Sequence, residues 1–298
     1  MLIGKLGEFG LIERFRQAIK LDKSVIKGSG DDCAVLAFDK NNYQLFTCDM
    51  LVEGVDFYRK EDPYLIGRKS LAVSISDIAA CGGIPRHCLI SLALPKTSRI
   101  NFVDKLFQGM LDLAKNYRIN IAGGDLSSAQ VLTIDVSMLG EVKKKNLALR
   151  NGARAKDIIC VTGSLGGSIR GKHLKFIPRL KEAQFLVENF KIHSMIDISD
   201  GLAQDLGHIL ESSEKGAVIY EDLIPINKEA RGLDEALYSG EDFELLFTLS
   251  RQEAQKLLAE KKQDFKAIGE ITQFDYGLRL VDRKGQEIKL KAQGFRHF

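Results

Sequence analysis

Residues 63 to 83 read PYLIGRKSLAVSISDIAACGG, a helix opened by Pro63 and closed by Gly82 and Gly83, with a single carboxylate, Asp77, in its later part. A negative charge at that end opposes the helix dipole. Its neighbours at helical spacing, Val73, Ser74, Ala80 and Cys81, form a small-residue face that admits close packing or a ligand. An acid in such a setting needs a cation, a donor network or water, so the fold must bring one of these to it. Four acidic motifs elsewhere share one shape: GDD at 30–32, CD at 48–49, GGD at 123–125 and ISDG at 198–201, each beside glycine or at the end of an apolar run. Glycine lets backbone approach a ligand closely. Magnesium takes one or two carboxylates together with phosphate oxygens and water, so carboxylates converging from separate strands suit a cation carried by a phosphate ligand. Taken singly, each motif leaves another reading open: Asp200 also suits the cap of a helix starting at Gly201, and GDD also suits an Asx turn.

The hydrophobic periodicity predicts a mixed α/β chain. Residues 7–21 read as a helix with Leu11, Ile12, Phe15 and Ile19 on one face, and 101–117 as a second with Phe102, Leu106, Met110, Leu113 and Ala114 inward. Strands are expected at 43–48 and 87–94, and INIAGGD and VLTIDVSMLGEV read as strands around a glycine turn. From Arg150 onward come a strand at 157–162, the glycine-rich turn GSLGGS, a helix after Pro178 and the strand MIDIS. The helix DGLAQDLGHILESS follows, with Leu202, Leu206, Ile209 and Leu210 at helical spacing. Then come a strand at 217–220, YSGEDFELLFTL read as a turn, a helix at 250–261, and strands near 266 and 278. A chain of 298 residues suits two domains, and the boundary is expected near 148, giving 1–147 and 148–298.

Several function classes are disfavoured. A formal charge of +3 with only Lys143–Lys145 as a basic block argues against a nucleic-acid partner, and that block reads as a solvated turn. No apolar run approaches the ~20 residues of a membrane span, so no membrane partner is expected. Five cysteines, an odd number without C-x-x-C spacing, argue against a disulfide framework or zinc ribbon and fit a cytoplasmic location. The five histidines show no metalloprotease spacing, no Gly-x-Ser-x-Gly elbow occurs, and GSLGGS lacks the Lys-Ser/Thr ending of a P-loop.

The motifs GDDCAV, TCDMLVEGVDF, RKSLAVSISDIAACGGIP, AGGDLSS, LRNGARAKD, VTGSLGGS, IDISDGLAQDL, SGEDFELLF and the terminal GFRHF follow one another in an order that resembles the thiamine-monophosphate kinase family of the aminoimidazole ribonucleotide synthetase-like superfamily. The resemblance covers nearly the whole chain. It implies a two-domain fold of the α+β type in which the N-terminal sheet pairs with that of a second subunit into a barrel, hence a homodimer. It implies ATP and Mg2+ along the N-terminal domain, and thiamine monophosphate at the cleft between domains, converted to thiamine diphosphate with release of ADP. Carried over by position, Asp32, Asp49, Asp77 and Asp125 would hold magnesium, with Cys48 contributing through its carbonyl. Asp197, Ser199 and Asp200 would form a second metal and nucleotide cluster. Gly123 and Gly124 would lie against the nucleotide, Arg150 would meet the ATP phosphates, and Glu241 would face the acceptor. No general base is expected, because the acceptor is already an anionic phosphate and phosphoryl transfer depends on positioning and electrostatics.

The acceptor end departs from the family pattern. Asp56 stands in EGVDF where the family has a histidine that contacts the acceptor, and Ala292 stands where an aromatic residue is common, in a chain without tryptophan. Phe295 and Phe298 are candidates to replace that aromatic, and Gly167 stands where the family commonly has aspartate. Three readings follow: a divergent member of the family, a related ATP-dependent enzyme with another phosphorylated acceptor, and a nucleotide-binding protein with little catalysis.

Overall fold

The structure, a computed structural model, describes residues 3–260 and 264–295. The first half contains α1 (Ile3–Ala18), β1 (Val25–Lys27), β2 (Ala34–Ala37), β3 (Asn42–Val52), α2 (Pro63–Ala80), β4 (Ile84–Leu94), α3 (Ile100–Tyr117), β5 (Asn120–Ser128) and β6 (Thr133–Lys143). The second contains β7 (Ile158–Thr162), α4 (Lys172–Lys175), α5 (Leu180–Asn189), β8 (Ile192–Asp197), α6 (Leu202–Ser213), β9 (Gly216–Tyr220), α7 (Leu233–Tyr238), β10 (Leu245–Leu249), α8 (Arg251–Ala259), β11 (Phe265–Thr272), β12 (Leu278–Val281) and β13 (Glu287–Lys289).

Two sheets organise these elements. The first has six strands in the order β1-β2-β3-β6-β4-β5, antiparallel except for the β4–β5 pair. The second has seven in the order β13-β12-β9-β11-β7-β10-β8, with β12 parallel to β9. Between the sheets runs α2, packed on β3 and β6, on α3, and on α4, α5 and β8 of the second half. Almost every residue from Ile66 to Ala80 is buried, as expected of a helix apolar on all sides. Asp62 caps it by accepting the Tyr64 N–H at 3.0 Å, and Pro63 occupies a position that needs no donor. The crossing with α3 depends on two glycines: a β-carbon on Gly67 would fall 1.8 Å from the Leu106 carbonyl oxygen, and one on Gly109 2.0 Å from that of Tyr64.

Several sequence expectations change. The glycines of GGD do not form a turn but lie inside β5, where a β-carbon on Gly124 would fall 1.7 Å from the Ile90 carbonyl oxygen. The stretch read as the turn YSGEDFELLFTL contains β10, an inner strand of the second sheet, paired with β7 and β8 and fully buried. The N-terminal helix, Ile3–Ala18, is kinked at Gly7, where the helix was expected to begin, and ends at Ala18 rather than 21; it buries no side chain, leaving Ile12 and Phe15 exposed. Lys143–Lys145 is an exposed connection, as expected. His297, Phe298 and the end of the helix expected to reach 261 lie outside the described residues.

Candidate active site

Period-two alternation along β3 turns Thr47 and Asp49 toward α2 and Cys48 to the opposite face. On α2, Ser74 and Asp77 are three residues apart and share a face. The two elements interlock there: the Thr47 hydroxyl donates to Asp77, and the Ser74 hydroxyl donates to Asp49 Oδ2 at 2.6 Å. From the next helical position Ser76 donates to Asp197, which ends β8 of the other sheet. Asp32, from the GDD loop, completes the group, and carboxylate oxygens of Asp32, Asp77 and Asp197 lie within 4.8 Å of one another. Arg150 donates to Asp32 Oδ1 through Nε at 3.1 Å and through its terminal nitrogen. Asp31 accepts the Arg150 backbone N–H at 3.2 Å.

This concentration of buried carboxylates raises their pKa values, burial being the first cause throughout. Asp49 is pushed up to about 6 and Asp197 to about 8. Asp77 is held well above the usual carboxylate range by burial and then by the charges of Asp49, Asp197 and Asp32. Asp31 is pushed up to about 7 by burial and the neighbouring Asp32. Asp32 rises through burial against the opposing pull of Arg150, and its Oδ2 is buried without a hydrogen-bond partner. A hard divalent cation answers both features, because it supplies positive charge and takes oxygen ligands.

A cleft of about 470 Å³ opens beside the cluster. Asp49, Val73, Ser199 and Asp200 line it, together with the loop from Val55 to Tyr58, Glu61, His173, Glu241, Phe243 and Phe295. Lys69 of α2 lies beneath the cleft, wholly buried, with Nζ donating to the Asp56 carbonyl oxygen at 2.8 Å and to the Glu241 carboxylate. It thereby ties the first half of the chain to the loop before β10. Glu241 holds a left-handed backbone (φ 71°) and donates its N–H to the Ser199 carbonyl at 2.7 Å.

The residues singled out from the sequence fall into three groups. Asp32, Asp77 and Asp197 converge, and Asp49 adjoins them. Asp200 and Ser199 line the cleft, and Asp200 groups with Asp205 and His208. Asp205 accepts the N–H groups of Asp200 and Gly201 at 3.1 and 3.0 Å, so it organises the start of α6. Gly123, Gly124 and Asp125 lie on the exposed strand β5, with Asp125 in register with Ser91 and outside the convergent group. The Cys48 thiol points to the outer face and donates to Asp135 Oδ2 at 3.1 Å, away from Asp77. Arg150 is engaged by Asp32. Asp56 lines the cleft, but its Oδ2 accepts the Val52 N–H at 2.7 Å, so part of its charge serves the turn. Ala292 is exposed and backs onto Gly207, outside the cleft lining, whereas Gly294 and Phe295 belong to that lining. The hydroxyls of Thr47 and Ser76, the buried Lys69, and Glu61 and His173 were not anticipated. A lysine inside the apolar run of α2 was the one available signal for Lys69.

Known proteins share this architecture over its whole length. Residues 30–142 match the family described as AIR synthase related protein, N-terminal domain, and residues 147–279 match its C-terminal domain. A thiamine-monophosphate kinase of Buchnera aphidicola subsp. Schizaphis graminum is 38% identical, over 98% of this chain and 98% of its own. That of Buchnera aphidicola subsp. Acyrthosiphon pisum is 36% identical, over 99% of both. The solved structure described as "AaThiL complexed with AMPPCP and TMP" superposes with a TM-score of 0.88 at 28% identity, covering 100% of this chain and 99% of that one. With a two-domain mixed α/β fold of the AIR synthase type and this full-length similarity, the chain belongs to the thiamine-monophosphate kinase family.

Proposed function

We propose that this chain transfers the γ-phosphoryl group of ATP to the phosphate of thiamine monophosphate, releasing thiamine diphosphate and ADP. The observation that carries this reading is the convergence of Asp32, Asp77 and Asp197, from both halves of a chain similar throughout to such kinases, beside a cleft large enough for a small phosphorylated acceptor. A phosphate monoester is already a nucleophile, so the demand on the protein is to hold two anionic groups together and to stabilise spreading charge. The buried, unpartnered Asp32 Oδ2 and the raised pKa values around it fit Mg2+, which would be held by Asp32, Asp49, Asp77 and Asp197, with Asp125, Asp200 and the Cys48 carbonyl as further oxygen donors. Bound there, magnesium supplies the positive charge that offsets phosphate repulsion. Thr47, Ser74 and Ser76 fix the carboxylates in one orientation. Arg150 holds Asp32 and, being a fifth exposed, lies within reach of a nucleotide phosphate. The bare backbone at Gly123 and Gly124 suits close approach of the nucleotide, Ser199 joins Asp197 and Asp200 on the nucleotide side, and Glu241 faces the acceptor.

Finer features belong to the same proposal. Residues 1–147 form the ATP, magnesium and dimerisation domain, and 148–298 the domain that completes the cleft. Two copies pair through the outer face of the first sheet, where Phe46, Met50 and Leu89 are 42%, 59% and 50% exposed on strands whose opposite face is core. The free cysteines support a reducing, cytoplasmic setting. The test is ADP release with magnesium and a panel of phosphorylated metabolites. Release stimulated by thiamine monophosphate above the others supports the reading. Stimulation by a different acceptor, or release that no acceptor alters, contradicts it.

A further inference from the structure

His173 lies on α4 and is 5% exposed, and its ring reaches the cleft beside Glu61. Its Nδ1 is 3.0 Å from the Ser168 carbonyl oxygen. A carbonyl only accepts, so Nδ1 carries the hydrogen. Burial, and then the Lys69 ammonium, lower the His173 pKa below its ordinary value, leaving Nε2 as a lone pair near neutral pH. That lone pair stands 3.8 Å from Glu61 Oε1. The other Glu61 oxygen accepts the Tyr58 N–H at 2.8 Å, which pins the carboxylate in place. The cleft thus presents two fixed acceptors side by side with no proton between them. Phe57 and Phe243 supply apolar wall in the same cleft. Glu61 precedes the start of α2, whereas Ser74, bonded to Asp49, lies eleven residues into that helix, roughly 16 Å along its axis at ~1.5 Å per residue. Glu61 is therefore set apart along α2 from the carboxylates bonded to that helix.

We propose that Glu61 and His173 read a hydrogen-bond donor on a flat heteroaromatic ring of the acceptor, away from its phosphate. In thiamine monophosphate that donor is the exocyclic amino group of the aminopyrimidine, so this inference rests on the reading of function given above. Two acceptors at one point reject an anionic or carbonyl-bearing group there and accept an amino group. Neither residue touches the reacting phosphate, so both act on specificity.

The experiment compares kcat/KM for thiamine monophosphate and for its analogue with an oxo group in place of that amino group. A site built to hydrogen-bond one group rejects an analogue that lacks it strongly. The wild-type protein is expected to prefer the amino compound by about 100-fold or more. Glu61→Gln turns an amide N–H toward the ring and should bring the preference to roughly tenfold or less, chiefly through KM. His173→Asn keeps a donor for the Ser168 carbonyl, removes Nε2, and should narrow the preference in the same direction. Efficient and equal use of both compounds by wild type overturns the inference while leaving the kinase reading intact, and that arm needs no variant to fold. A preference unchanged in both variants also overturns it. Use of neither compound by wild type overturns the kinase reading and the inference with it.

Discussion

The Lys69–Glu241 pair joins the two halves of the chain, and cutting it should separate stability from local rearrangement. Lys69 is wholly buried, whereas the Glu241 side chain is 27% exposed toward the cleft. At an effective dielectric of about 20, unit charges ~4 Å apart attract by ~4 kcal/mol. Water reaching Glu241 screens part of that, so a coupling of about 2–3 kcal/mol is expected. The two single changes should be unequal. Lys69→Met leaves a carboxylate that can turn to solvent. Glu241→Gln leaves a buried ammonium with the Asp56 carbonyl as its remaining strong acceptor, and uncompensated buried charge is the costlier outcome. Urea unfolding followed by far-ultraviolet circular dichroism should rank Glu241→Gln as the more destabilising single change. The double variant should lose less stability than the sum of the two. A coupling below ~0.5 kcal/mol, or Lys69→Met as the worse single change, would refute the reasoning.

Further outcomes follow from the carboxylate cluster and the sheet. Because the folded pKa values of Asp49, Asp31 and Asp197 lie at about 6, 7 and 8, above their ordinary value near 3.8, the folded state binds more protons between those limits. Metal-free protein should therefore be most stable near pH 4 as far as these groups decide it, and lose that stability as pH rises to about 8. Added Mg2+ should flatten the decline in a thermal-melt series, and a chelator should restore it; melts that climb over this range without metal would contradict the cluster's role. Asp49→Asn should fold and yet lose the magnesium dependence of ATP binding, measured by calorimetry; equal affinity with and without magnesium in wild type would remove the hypothesis. Light scattering should report a dimer, about twice the 33.2 kDa chain mass, and Phe46→Lys should shift it toward monomer; a monomeric wild type at micromolar concentration would refute the pairing.

What the sequence disclosed was set by how local each signal is. Pro63, the closing glycines and the apolar run specified α2 almost to the residue, and Asp77, singled out by its odd placement on that helix, lies where it meets Asp32 and Asp197. Asp197, at the end of β8, was visible for the same reason; Asp49 was expected at a strand end but lies inside β3, which continues to Val52. β10 was lost because glycine and paired acids at its start read as a turn, although Leu245–Leu249 is buried between β7 and β8. Gly124 of β5 misled in the opposite sense: it marks close contact with β4, which a single strand cannot show. Glu61, His173 and Lys69 have no common motif. They meet only because α2, α4 and the loops around the cleft pack together, so pairing two acceptors or burying a lysine is a tertiary fact. Ala292 was chosen by its place before the terminal motif, whereas Phe295, three residues later, lines the cleft.

Phosphorus NMR of the protein with ATP, Mg2+ and thiamine monophosphate tests the central claim most directly. The account predicts the monophosphate resonance giving way to the coupled pair of a diphosphate ester, in step with the formation of ADP. ADP accumulating with inorganic phosphate while the monophosphate resonance stays unchanged would contradict it.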